Sequence, residues 1–376
     1  MFSENEKKRR LQAAAKLMND NGFDVLYLLG NGIVGSNTFG NYRYFVDNRV
    51  TFNISNALVT KDARLICITG SRMSGNNLIS STFADEVIIS PDQLGGVIEY
   101  FKENGIKRVG TLLEILPASW MLRIKNEIKD IELVDAADAL FPLRLNRADE
   151  EVEVSLACGK IADEGYKALL AAVKPGMLEH EVVAACEGAM HKMGMDTSFM
   201  LIASGRFSAS DNKLSTLHNA AGIDRRLESG DTVCMEITPN YNGYWTQLVR
   251  TVCIGEPNPD VDAFAEITSK SIEAASKVIK PGVKISEVAF VLKKVVEDGG
   301  YVIDMPLGHI CGTDLNEERL TLDNDRELKK GMVVIMHPTV INDNIKTGIY
   351  WGESYVVTDD GCECVCGRDK TVYTAK

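Results

Sequence analysis

With 376 residues, a hydrophobic share of 45% and a charged share of 25%, the chain has the size and make-up of an ordinary globular protein of two domains; disorder and a stapled miniprotein are excluded. Its formal net charge of -12 opposes phosphate backbones and anionic lipid, so no nucleic acid and no membrane surface is expected as a partner. A small molecule or a peptide remains. In chain order, residues 5–21 carry Leu11, Ala14, Ala15 and Met18 at helical spacing and predict a first helix, with no signal-peptide core. No apolar stretch approaches the length of a membrane span, and the expected location is cytoplasmic. DVLYLLG reads as a strand, ALVT and RLICITG as a hairpin, GVIEYFKENG as a helix, KRVGTL as a strand, 117–128 as a helix and IELVDA as a strand. This alternation is α/β, grading into α+β. At LRLNRADEEVEVSLACGKIADEGYKALLAAVKPG, the acidic residues Asp149 to Glu151 mark the first turn of a long helix. The domain boundary is placed near residue 145, giving a small N-terminal α/β domain over 1–145 and a larger domain over 146–376.

The larger domain contains an internal repeat. VKPGMLEHEVVAACEGAMHKMG at 173–194 matches IKPGVKISEVAFVLKKVVEDGG at 279–300, and LESGDTVCME at 227–236 matches LKKGMVVIMH at 328–337. His337 therefore corresponds to Glu236. Met332 to Met336 fit a buried strand, and Pro338 cannot continue a ladder, so His337 sits at a strand end. Two copies of helix, KPG turn, helix and sheet predict a pseudo-twofold α/β domain with polar residues from equivalent strand ends converging between the halves.

Of the five histidines, His218, His309 and His337 lie beside glycine, proline or short polar loops, where site histidines concentrate. His180 and His191 read as solvated helix residues. The nine cysteines include no CxxC pair. In CECVC, the alternating Cys362, Cys364 and Cys366 share one strand face, which suits a half-buried strand in a reducing compartment better than a soft-metal site.

In LRLNRADEEVE, the two KPG helices, LHNAAG, GDTVCMEITPNYNGYWTQLVRT, GHICGTD, KKGMVVIMHP and SYVVTDDG, the chain resembles the creatinase and aminopeptidase P superfamily, whose catalytic domain is the pita-bread fold. The resemblance covers nearly the whole chain. It implies, for the metallopeptidases of the superfamily, two metal ions bridged by five ligands. Those positions fall here on Glu236, Gln247, His309, His337 and Gly352, with Glu353 next along. Two dications about 3.5–4 Å apart need negative charge between them, and three of the five carboxylates or imidazoles are replaced. Of the family's helper histidines, one matches His218; the others fall on Met305 and Asn316. Creatinase is a metal-free member, but its substrate-gripping glutamates map to Val249 and His337 and its carboxylate-binding arginine to Ile54, so creatine itself is not expected. Phe52 matches that pocket edge.

The favoured expectation is accordingly a metal-independent, creatinase-like hydrolase of a small-molecule C–N bond, with His218 as general base and then general acid. Glu236, His309 and His337 join it as catalytic residues. Gln247 would donate to a developing oxyanion, Tyr244 and Trp245 would wall the substrate, and Phe52, Glu353 and Arg49 would contact it, with Arg43 as an alternative anion contact. No cofactor is expected. One alternative is a mononuclear Fe, Mn or Zn hydrolase or lyase, its metal held by Glu236, His309 and His337. Another is a non-catalytic small-molecule-binding pseudoenzyme. Xaa-Pro peptidase activity is placed last. The resemblance also implies a homodimer with the site at the subunit border.

Overall fold

Ser3 precedes two glutamates in the first turn of helix Glu4–Asn21, and its hydroxyl accepts the Glu6 N–H at 3.2 Å, so the helix starts where an N-cap and the dipole favour it. It ends at Gly22, whose φ of 70° closes the last turn. In this computed structural model residues 2–31, 40–48, 54–81, 83–206, 224–304, 307–342 and 347–376 are described. The contacts divide the chain into two units, Met1–Ala148 and Asp149–Lys376.

The first unit is built on a six-stranded sheet in the order Glu86–Ile89, Leu65–Thr69, Ile54–Thr60, Val25–Asn31, Arg108–Thr111 and Glu132–Asp135. Its centre is antiparallel and its edges are parallel, the mixture that a hairpin flanked by crossover helices produces. Tyr27, Leu58, Ile66, Val97, Phe101 and Val109 form its core. The expected hairpin, helices and strands are present. Three further helices, Gly40–Val46, Arg72–Ser81 and Ala137–Leu145, and the strand Glu86–Ile89 occupy segments in which none is expected from sequence. Arg43 lies on the first of them, within 3.9 Å of Asp47.

In the second unit the repeat becomes matched hydrogen bonds. Gly176 and Gly282, both at positive φ, donate to the carbonyls of Leu227 and Leu328. The N–H groups of Leu178 and Lys284 donate to Glu181 and Glu287, one turn inside the helices Glu179–Lys192 and Ile285–Asp298. Gly230 and Gly331 take the same left-handed turn into the strands Asp231–Tyr241 and Val333–Met336.

Each of these strands is central to its own sheet. One runs Thr374–Ala375, Leu248–Ile254, Asp231–Tyr241, Thr197–Arg206, and the other Glu318–Arg319, Gly308–Cys311, Val333–Met336, Glu353–Val357, Cys362–Cys366. They join through Val249 and Gly352, which exchange both backbone hydrogen bonds at 3.1 and 3.0 Å. Val249 stands opposite Glu236, and Gly352 adjoins the Met336–Glu353 pair, so the seam lies where the strand ends meet. The chain has the expected α/β architecture, with the two matched halves of the repeat each built on its own sheet. Cys362 and Cys364 are half-buried and Cys366 is buried in an ordinary sheet strand. Among the described residues no helix is long and apolar enough to cross a membrane.

Candidate functional site

Arg250 holds the seam from behind. Its buried guanidinium donates to the carbonyls of Val249 at 2.9 Å, Gly352 at 2.8 Å, Gly367 at 2.6 Å and Asp369 at 2.8 Å, and stacks 4.2 Å over the Trp351 ring. Two of those carbonyls belong to the bridging pair. On the seam, five polar side chains from both halves of the repeat come together, all buried. Tyr350, at the end of Thr347–Tyr350, donates its hydroxyl to Glu236 Oε1 at 2.7 Å and lies 2.6 Å from His337 Nδ1. The His337 ring packs edge-on against His309, centroids 5.1 Å apart, and His309 Nε2 meets Gln247 Oε1 at 3.2 Å.

Burial decides the charge of this cluster. It pushes Glu236 up to about 7, against the pull of the Tyr350 hydrogen bond. It pushes His309 down to about 4, and His337, which also feels His309, down to about 3. Near neutral pH both imidazoles are uncharged and Glu236 is poised between its forms.

The consequence for stability has a sign. Below the unfolded histidine value of 6.5 the unfolded chain takes up protons that the folded imidazoles refuse, so stability falls toward acid. Glu236 works the other way, its contribution being present below the unfolded 4.5 and lost as pH rises through about 7. From about pH 7.5 to about pH 5 the two imidazoles should remove about 4 kcal/mol and Glu236 return about 2, a net loss of about 2 kcal/mol. Urea unfolding at both pH values checks this; in His309→Gln/His337→Gln the loss should turn into a gain.

Gly352 shows why no side chain emerges at that position. A Cβ there would lie 2.5 Å from His337 Cβ, 2.9 Å from its Cα and 2.9 Å from the Met336 carbonyl oxygen. His337 fills the space. Gly352→Ala should therefore cost about 1–3 kcal/mol by overpacking, read as a lower urea midpoint with an unchanged slope.

The structure brings Glu236, Gln247, His309 and His337 together, but separates the other candidates from them. Tyr244 donates to Glu151 at 2.5 Å, and Trp245 packs among Cys311, Leu315, Val333, Ile335, Val356 and Val365 in the core. Glu353 faces away from the cluster: it accepts from Tyr355 at 2.6 Å, with Lys370 at 3.7 Å and Arg250 at 3.9 Å. His218, Phe52, Arg49 and Met305 lie outside the described residues. Tyr350 was missed from sequence. The one available signal was its place two residues before Gly352, which puts both on one side of an extended chain.

Residues 155–359 match Metallopeptidase family M24, and residues 10–146 match the Creatinase/Prolidase N-terminal domain. The chain is 28% identical over 262 residues to the uncharacterized peptidase YqhT of Bacillus subtilis, covering 68% of this chain and 72% of that one. It is 27% identical over 244 residues to the Xaa-Pro dipeptidase of Pyrococcus furiosus, covering 64% and 67%. Among solved structures, the Xaa-Pro dipeptidase of Bacillus anthracis superposes with a TM-score of 0.83 at 24% identity, over 99% of this chain and 100% of that one. The X-Pro aminopeptidase of Thermotoga maritima gives 0.81 at 22%, over 96% and 99%.

These likenesses overturn two expectations. The favoured metal-independent, creatinase-like hydrolase running on His218 gives way, as do the mononuclear and pseudoenzyme alternatives, because the relatives include Xaa-Pro dipeptidases. The expectation of no cofactor, or of one Fe, Mn or Zn ion, falls with it, since the family is one of metallopeptidases. The donor set is a separate matter. A metal pair needs several anionic oxygens between the ions. Here stand one carboxylate that burial holds near protonation, an amide, two imidazoles and a glycine with no room for a side chain. Among the described residues no group of three or more His, Cys, Asp or Glu is arranged for a metal. These residues do not fit the family's two-metal centre.

Proposed function

Because the chain belongs to metallopeptidase family M24, with a creatinase/prolidase N-terminal domain ahead of the M24 domain, we propose that it is a hydrolase cutting the amide C–N bond of small Xaa-Pro dipeptides. One observation carries the reading. The buried cluster of Glu236, Tyr350, His337, His309 and Gln247 gathers both halves of the repeat at one seam, and polar groups so costly to bury need a use.

Amide hydrolysis requires a proton to leave water and a proton to reach the departing nitrogen. Glu236 and His337, joined through Tyr350, can hold and return one. His309 and Gln247 form a polar pair beside them, placed to orient the substrate carbonyl. Burial strengthens each of these hydrogen bonds.

The test is proline release from Ala-Pro, Met-Pro and Leu-Pro against Ala-Gly and Ala-Ala, using the purified protein alone and with added manganese, cobalt or zinc. An empty-vector preparation controls for contaminating peptidase, and a Glu236→Gln variant tests the site. Release confined to Xaa-Pro and lost in the variant supports the reading; no release from any dipeptide under any of these conditions overturns it.

The nine thiols, all free, suit a reducing compartment, and we place the protein in the cytoplasm. Pairing of two chains belongs to the same reading. Light scattering on a sizing column should give about twice the 41.3 kDa of one chain; a monomer would remove the subunit border from the proposal.

A further inference from the structure

The phenol of Tyr350 has one proton to give and two neighbours to satisfy. With Glu236 ionised, it donates that proton to Glu236 Oε1 at 2.7 Å. The 2.6 Å contact with His337 Nδ1 must then be the ring N–H donating to the phenol oxygen. Nε2 is left as the lone-pair nitrogen, buried and without a hydrogen-bond partner among the described residues. Ring rotation does not offer an escape. A 180° flip would set Cδ2 in place of Nδ1 against the Tyr350 hydroxyl and forfeit the 2.6 Å contact.

We propose that Tyr350 is a positioning residue that fixes His337 in the Nδ1–H tautomer and so makes Nε2 the proton acceptor of the site. A free neutral imidazole favours the proton on Nε2, so inverting that preference takes a neighbour that accepts from Nδ1. Tyr350 does so only because Glu236 takes its own proton. The three residues act as a histidine and its orienting carboxylate with a phenol inserted between them.

The catalytic consequence rests on the amide-hydrolysis reading. As the water oxygen bonds to the carbonyl carbon, its proton passes to His337 Nε2. When the C–N bond breaks, that proton goes to the departing nitrogen, leaving the imidazole neutral. The charge it carries in between is met by Glu236 through the phenol.

The tautomer can be measured without substrate. In protein labelled with 15N-histidine, a long-range proton–nitrogen correlation separates protonated from bare ring nitrogens, and His337→Gln identifies the signals of His337. At about pH 8.5, where Glu236 is ionised, the wild type should show a protonated Nδ1 and a bare Nε2, and Tyr350→Phe should move the proton to Nε2. Nε2–H in the wild type, or an unchanged tautomer in Tyr350→Phe, overturns the proposal. Should Tyr350→Phe fail to fold, the wild-type tautomer alone decides. On Ala-Pro, Tyr350→Phe should lower kcat about 10–100-fold with KM little changed; equal kcat would overturn the positioning role. If the wild type releases no proline while Nδ1 is protonated, the dipeptidase reading fails and the assignment of Tyr350 stands.

Discussion

Arg250→Ala is expected to destabilise the protein by about 3–5 kcal/mol, the cost of breaking a buried charged network and leaving its acceptors unpaired. The guanidinium is 1% exposed and satisfies four carbonyls from three stretches of chain. Its loss strips Val249 and Gly352 of a shared donor at the point where the two sheets join, opens a cavity against Trp351, and leaves the buried Glu353 with Lys370 as its one counter-charge among the described residues. Arg250→Lys should recover less than half, because a single ammonium cannot reproduce the fork. Urea unfolding measures both. A loss under about 1 kcal/mol in Arg250→Ala would mean that water replaces the guanidinium and that the seam holds by itself.

Glu236→Gln should lower kcat/KM on the dipeptide substrate by about 10²–10³-fold while leaving the fold intact. The amide oxygen can still accept from Tyr350, so the hydrogen-bonded chain survives in outline. What disappears is the negative charge that answers a protonated His337. Stability should move the opposite way. Burial raises the Glu236 value to about 7, so above that pH the wild type bears an ionised carboxylate in a dry site that the amide does not. Glu236→Gln should therefore equal or exceed the wild type in stability at about pH 8.5, and lose more than the wild type on going to about pH 5. Undiminished activity would remove Glu236 from the chemistry.

Much of this was legible in the sequence. The repeat places Glu236 and His337 in register, and its glycines turn out to sit at the same left-handed turns in both copies. The hairpin, the long helix and the strand ending at His337 follow from two- and near-four-residue periodicities. Tyr350 did not stand out because a tyrosine in TGIYWG reads as core, and only the meeting of its own sheet, Val302–Asp304, Thr339–Asn342 and Thr347–Tyr350, with strands far away in sequence puts its hydroxyl between Glu236 and His337. Tyr244 and Trp245 lie beside Gln247 in the chain, but strand pairing sends them into the interior. Glu353 is a plainer miss. Strand alternation puts it on the opposite face from Gly352, where Arg250 and Lys370 lie. The helix Arg72–Ser81 is rich in glycine, serine and asparagine, and Gly40–Val46 is only 7 residues long, so local propensity does not announce them.

Gly352 is closed to substitution by the strand end itself, not by the imidazole. A carboxylate at 352 would thrust its Cβ into the Cβ and Cα of residue 337 and the Met336 carbonyl oxygen, atoms that nearly any residue at 337 would keep. Changing 337 alone therefore does not reopen the position. A designer restoring an acidic side chain at 352 must make the strand end at 336–337 withdraw, which turns a one-residue swap into a backbone redesign.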